Sequence, residues 1–290
     1  MSGVRTASAG PWPAPAKLNL FLHIVGRRPD GYHELQTCFQ FVDLCDDINI
    51  QVRADGQIRR RRGAAGVSTE ADLCVRAARA LQNQSGSTWG ADIDVVKRIP
   101  MGAGLGGGSS DAATCLVALN RLWGLDWPLE KLAGLGLTLG ADVPVFVLGR
   151  AAWAEGVGER LTALFPPLAP VECNYLIIKP NVFVRTAEVF ADIELTRNSQ
   201  PITIHGFLTS GGRNDCLGVV RRRYPEVASA LDWLSHFGPA RLTGTGACVF
   251  VGLESIDRGR EIVRKLPPTC EAYLVRGMNE SPLLERLTAG

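Results

Sequence analysis

The chain has 290 residues, near twice the usual length of one domain, so two domains or one enlarged domain are expected. With 46% hydrophobic and 21% charged residues and a mean hydropathy of +0.07, the composition excludes a disordered or fibrous protein. Lys and Arg number 31 against 29 Asp and Glu, and the resulting formal charge of +2 supplies no global field for nucleic acid or an anionic membrane, so any anion site has to be local.

Residues 1–14 are small, polar and proline-rich, without the basic start and apolar core of a secretory signal, and are expected to form a loose extension. Leu18 to Val25 alternates as a strand, Pro29-Asp30-Gly31 is a turn, and Phe39 to Val52 predicts further strand with an acidic break at Asp46-Asp47. The basic burst Arg59-Arg60-Arg61-Arg62 reads as a solvated loop, the other reading being a nucleic-acid patch. A helix is expected over Leu73 to Leu81, a strand over Asp92 to Val96, and a helix over Asp111 to Trp123 ended by Gly124. Leu129 to Leu139 predicts a helix stopped by a left-handed Gly140, and Val143 to Leu148 a strand carrying Pro144. Pro166-Pro167 and Pro170 mark a boundary that separates 15–165 from 166–290. Beyond it lie a strand at Tyr175 to Lys179, a helix from Thr186, two helices around Asp215 to Ser235, strands flanking Gly244-Thr245-Gly246, a helix near Glu261 and a strand at Tyr273 to Val275. The order is mixed α+β, without the steady βαβ rhythm of a doubly wound sheet.

No stretch approaches the roughly 18 apolar residues that span a bilayer. The eight cysteines form no CxxC pair and the four histidines have no HxxxH or HExxH spacing. Reduced thiols, a cytoplasmic location, no membrane partner and no protein-held metal are the expectations.

Five of the 13 residues from Pro100 to Ala112 are glycine, and they run into a helix whose first residues, Ser109, Ser110 and Asp111, are capping types. Backbone N–H groups uncovered by side chains, at the positive end of a helix, suit a phosphate; the alternative is a flexible loop or a close-packed crossing. Walker A is excluded because no Gly-Lys-Ser/Thr follows. Gly102, Gly104 and Gly107 satisfy GxGxxG, but Lys97-Arg98-Ile99-Pro100 separates them from the strand, and Asp126 sits in a turn rather than closing a second strand.

Pro100-Met101-Gly102-Ala103-Gly104-Leu105-Gly106-Gly107-Gly108-Ser109-Ser110-Asp111 resembles the second motif of the GHMP small-molecule kinases. Pro15-Ala16-Lys17-Leu18-Asn19-Leu20 and Leu242-Thr243-Gly244-Thr245-Gly246-Ala247-Cys248 resemble the first and third motifs, in the same order. Gly31-Tyr32-His33-Glu34 and Leu139-Gly140-Ala141-Asp142-Val143-Pro144 narrow the resemblance to the branch that phosphorylates the 2-hydroxyl of 4-diphosphocytidyl-2-C-methyl-D-erythritol. The resemblance implies a two-domain α+β fold, with an N-terminal ribosomal-protein-S5-like domain and a C-terminal ferredoxin-like domain. It implies a monomer or homodimer that uses ATP with Mg2+ carried by the nucleotide, held by Pro100 to Ser110.

By the same resemblance Asp142 is the catalytic acid-base group and Lys17 its partner, with Asn19 beside them in the site. From the residues alone, Asp142 could equally cap a turn and Lys17 could extend to solvent. Tyr32 and His33 are implied to bind the cytosine, Phe190 to stack from the opposite side, and Thr186 to cap its helix and touch substrate. Phe190 otherwise reads as a core residue. The glycines of Thr243 to Gly246 let a backbone pass close to ligand or to the first loop, or make a tight strand turn. The pattern departs at Asp72, where the family often carries Asn, and at Ala191, where a lysine is expected. Kinases of homoserine or of mevalonate derivatives, and an RNA-binding module, are the rival functions.

Overall fold

The computed structural model describes residues 11–288. In chain order its elements are β1 (Trp12–Arg27), β2 (His33–Arg53), β3 (Ile58–Arg62), α1 (Leu73–Ser85), β4 (Gly90–Val96), α2 (Gly107–Leu122), α3 (Leu129–Leu137), α4 (Val143–Leu148), β5 (Ala152–Gly156) and β6 (Arg160–Ala163). There follow β7 (Asn174–Pro180), α5 (Thr186–Ala191), α6 (Ile204–Ser210), α7 (Leu217–Arg223), α8 (Pro225–Ser235), β8 (Arg241–Leu242), β9 (Val249–Leu253), α9 (Ile256–Val263), β10 (Cys270–Met278) and α10 (Pro282–Thr288). The order is α+β, as the sequence led us to expect. The strand path is β3-β4-β2-β10-β7-β9-β8, with β1 and β5 also paired to β2 and β6 to β5.

β2 organises this sheet. Its length lets it pair β1 along most of one edge while β5, β10 and β4 take successive parts of the other. The expected acidic break at Asp46-Asp47 does not occur. Asp46 is fully buried within the strand, because the Arg98 and Ile99 amides donate to Oδ1 at 2.5 and 2.8 Å and Lys97 Nζ to Oδ2 at 2.5 Å. The irregularity lies instead opposite Pro15 and Ala16, whose partners jump from Cys45 to Val42.

Three apolar cores follow. One packs α1, α2, α3 and α4 on the first strands and includes Phe41, Ile93, Leu116, Phe146 and, from α10, Leu283. A second packs α7 and α8 on β7 and β9 through Ile178, Val220, Leu231 and Val251. The third joins the two halves: Leu18 and Phe21 of β1 meet Ile177, Phe250 and Val275.

Several local expectations change. Of the expected extension, residues 12–14 belong to β1, residue 11 directly precedes it, and 1–10 lie outside the described residues. The arginine burst is strand β3, parallel to β4; Arg60, Arg61 and Arg62 pair with Asp72, Asp92 and Asp94 at 3.1, 2.8 and 3.4 Å and Arg59 lies 4.0 Å from Asp55, so each charge has an acidic neighbour. Val143 to Leu148 is helix α4. A run of six apolar residues does not distinguish buried strand from buried helix; Pro144 sits in the first turn, where a missing N–H costs nothing, and Gly149 closes the end in left-handed geometry. Gly140 is not the left-handed stop of α3, whose last turn ends at Thr138. β5, β6, α6 and α10 had no distinct sequence signal.

Candidate active site

The glycine loop is pinned from behind. Its carbonyls turn into the protein: Gly102 O accepts from Ala247 N (3.4 Å), Ala103 O from Cys248 N (3.2 Å), Gly104 O from Lys17 Nζ (3.1 Å) and Leu105 O from Lys17 N (3.0 Å). The amides of Gly106, Gly107, Gly108 and Ser109 have no partner among the described residues. Gly106 takes the N-cap place of α2 at φ +75°, with no side-chain cap, so the expected capping by Ser109, Ser110 or Asp111 is replaced by bare backbone. Together with the helix terminus, these amides form an anion cradle.

The third glycine motif is what makes the pinning possible. A Cβ on Gly104 would come 2.4 Å from Thr243 O, so the two backbones pass in contact, and Gly104 itself needs φ +74°. Of the uses open to Thr243–Gly246, close passage against the first loop is the one observed. Asn214 holds the turn from the other side by donating to Leu242 O and Gly244 O at 2.9 and 2.8 Å.

Three cavities adjoin along this seam. The first, about 450 Å3, is lined by the loop from Pro100 to Ser109, with Leu73, Val95 and Lys97, and the exposed Phe183 ring lies over Gly102. Ser110 does not reach it; the residue is fully buried and its Oγ has no partner. The second, about 260 Å3, shares Gly104 and Gly106 with the first and contains Lys17, Asn19, Asp142, Thr186, Thr245 and Phe190. The third, about 540 Å3, shares Leu35, Ala141, Val157 and Phe190 with the second and adds Tyr32 and His33.

At the centre, Lys17 Nζ donates to Asn19 Oδ1 (2.5 Å) and Gly104 O (3.1 Å) and lies 3.4 Å from Asp142 Oδ2. Alternation along β1 puts Lys17 and Asn19 on one face, and Asn19 is held in turn by Thr37 and Thr243. Asp142 occupies the N-cap place of α4 without making a side-chain cap bond, which leaves its carboxylate to Lys17 and the cavity. Thr186 is the first residue of α5; the cap place belongs to Arg185, and the Thr186 hydroxyl bonds Thr245 Oγ1 at 2.8 Å.

In the third cavity Tyr32 is 65% exposed. His33 stacks directly on Phe190, with ring centroids 5.1 Å apart and planes at 27°. His33 is thus already stacked on Phe190, whereas Tyr32 lines the same cavity as an exposed ring.

Several residues at the site carried no role in the sequence reading. Lys97, directly before the loop, is clamped by Asp46 and by Asp111 Oδ2 at 2.7 Å. Burial pushes the Asp111 carboxyl up to about 7; Lys97 opposes this and the Asp46 charge adds to it. Burial also works against the Lys97 ammonium, but the two carboxylates outweigh it and hold its pKa above the usual value. Asp72 caps α1 through Oδ1 to the Cys74 and Val75 amides and pairs with Arg60 through Oδ2, so both its oxygens are occupied at the rim of the first cavity. The only available signal for Lys97 was its place between strand and glycines; Asp46 was hidden in what looked like a break.

No cluster of three metal-ligating side chains occurs among the described residues. The oxygen donors near the cradle, Ser109 and Asp142, fit a cation that brings phosphate oxygens with it. No helix among the described residues is long and apolar enough to cross a membrane, and the eight cysteines are free.

Residues 72–150 match the GHMP kinases N terminal domain and residues 193–271 the GHMP kinases C terminal domain. The chain is 54% identical over 275 residues to the 4-diphosphocytidyl-2-C-methyl-D-erythritol kinase of Pseudomonas savastanoi pv. phaseolicola, covering 95% of this chain and 94% of that protein. It is 55% identical over 276 residues to the protein of the same name from Alkalilimnicola ehrlichii, with coverage of 95% and 94%. A crystal structure of 4-(cytidine 5'-diphospho)-2C-methyl-D-erythritol kinase superposes with a TM-score of 0.80 at 33% identity, over 91% of this chain and 98% of that one. The mevalonate kinase of Methanococcus jannaschii shares the fold, with a TM-score of 0.69 at 17% identity over 94% and 100%. With these matches and likenesses along nearly its whole length, the chain belongs to the GHMP kinases.

Proposed function

We propose that this chain transfers the γ-phosphoryl group of ATP to the 2-hydroxyl of 4-diphosphocytidyl-2-C-methyl-D-erythritol. The observation that carries the reading is the row of three adjoining cavities, with the Lys17 and Asp142 pair in the middle one. ATP phosphates rest on the amides of Gly106 to Ser109, within the loop Pro100 to Ser109. The cytidine end lies in the third cavity against Tyr32, His33 and Phe190. Asn19 and Thr186 face the linking part of the substrate.

Phosphoryl transfer is mainly a matter of positioning and charge balance. Asp142 accepts a hydrogen bond from the 2-hydroxyl, orients it in line with the γ-phosphorus and receives its proton. Lys17, held by two hydrogen bonds and 3.4 Å from the Asp142 carboxylate, is a fixed positive charge beside the attacking oxygen. Ser109 and Asp142 would hold Mg2+ brought in on the nucleotide phosphates, and the cation would supply further charge neutralisation there.

The division into domains over 15–165 and 166–290, a cytoplasmic location and a monomeric or homodimeric state go with this reading. The test is ATP-dependent phosphorylation of the cytidine substrate with the product identified as its 2-phosphate. Turnover of homoserine or a mevalonate derivative in its place would overturn the proposal.

A further inference from the structure

Arg197 lies beyond α5 and reaches back to the start of β2. Its Nε donates to His33 Nε2 at 3.0 Å. Nη2 donates to the Phe190 and Asp192 carbonyls at 3.0 and 2.7 Å, and Nη1 to Leu195 O at 3.0 Å. A guanidinium is a donor only and keeps its protons, so His33 Nε2 has to present a lone pair and the ring proton belongs on Nδ1. A second proton on Nε2 would set one N–H against another. Burial, then the charges of Arg197 and Arg27, hold the His33 pKa below its ordinary value, which favours the neutral ring. Nδ1 has no hydrogen-bond partner among the described residues, and His33 lines the third cavity.

We infer that Arg197 is a positioning residue that holds His33 in its Nδ1–H tautomer, and that this fixed donor selects a cytosine over a uracil base in the third cavity. The inference rests on the proposed cytidine subsite. Cytosine offers a lone pair at N3 where uracil carries N3–H, so a fixed donor is matched by the first base and opposed by the second. A freely interchanging imidazole could turn either face to either base and would lose that discrimination. The same guanidinium ties down the Phe190 carbonyl, so tautomer and ring stack are set by one side chain.

The experiment uses the full chain labelled with 15N-histidine, with His33 resonances assigned by loss in His33→Ala, and titrations of CDP and of UDP into protein saturated with ADP. In the unsubstituted protein the expected result is the Nδ1–H signature at His33 and CDP bound on the order of tenfold tighter than UDP, the worth of about one hydrogen bond. Arg197→Leu removes donor and charge; it should mix the two tautomers and bring the CDP-to-UDP ratio toward one, with ADP affinity unchanged. Arg197→Gln returns a donor and should recover part of both effects, which a purely structural role of Arg197 would not produce. Retention of the Nδ1–H signature and of the CDP preference in both variants overturns the inference. Unchanged CDP affinity in His33→Ala overturns instead the cytidine subsite beneath it.

Discussion

Lys17 Nζ and Asp142 Oδ2 stand 3.4 Å apart, the lysine side chain 4% exposed and the carboxylate 35%. The asymmetry has chemical content. The ammonium is held by Asn19, Gly104 O and Asp142 and cannot leave, whereas the carboxylate, which caps nothing, keeps one side open to the cavity. A group that must meet a substrate hydroxyl needs that opening, and the group that balances its charge does not.

Asp142→Asn removes the acceptor charge and preserves shape. Turnover should fall by about 10² to 10⁴, while the melting temperature stays close to that of the unsubstituted protein because no cap bond is lost. Steady-state kinetics and calorimetry check this; near-normal turnover would remove Asp142 from the reaction.

Lys17→Met keeps the aliphatic stem within β1, leaves Asn19 Oδ1 without its donor and leaves Gly104 O only the 3.4 Å bond from Thr243 Oγ1. The expected stability loss is about 1–3 kcal/mol, and kcat should drop far more than ATP affinity. A variant with weakened ATP binding and intact kcat would place the lysine on the nucleotide side.

Gly104→Ala should destabilise by about 1–3 kcal/mol, since a non-glycine residue is strained in left-handed geometry and its Cβ would meet the Thr243 carbonyl. Gly134→Ala is the control: it lies inside α3 with open space around it, and should stabilise by about 0.5–1 kcal/mol. Denaturant melts of both decide whether the contact between the two glycine motifs is as tight as described. Equal effects would argue that it is not.

The buried Asp111 gives a pH dependence. Its folded pKa of about 7 lies above the ordinary 3.8, so the folded protein holds a proton that the unfolded chain has released. That contribution to stability is present in full below about pH 4 and is lost as pH rises through about 7. Against Asp111→Asn, which does not titrate, the unsubstituted protein should therefore lose melting temperature progressively across this window. Parallel curves would show that Asp111 is ionised throughout.

Tyr32→Ala takes away the exposed ring that lines the third cavity together with Phe190. Inhibition by CDP should weaken by on the order of tenfold, the worth of one aromatic stacking contact, with ATP affinity unchanged. Undiminished CDP inhibition would place the cytosine elsewhere.

The sequence by itself determined the chemistry class. A glycine loop at a helix start is a local property, legible because phosphate binding uses backbone in consecutive residues, and three motifs in fixed order carried the family. The mixed α+β class was equally legible from the alternation of strand and helix signals. Tertiary structure alone decided the rest. The nature of Val143 to Leu148 depended on what buries it, since a short apolar run has no period of its own. The burial of Asp46 depended on Lys97 and on two amides some fifty residues away in the chain. The encounter of Lys17 with Asp142, of Gly104 with Thr243 and of Arg197 with His33 depended on β1 passing between the two halves of the molecule. Such pairings are set by packing between distant segments, and residue spacing along the chain holds no record of them.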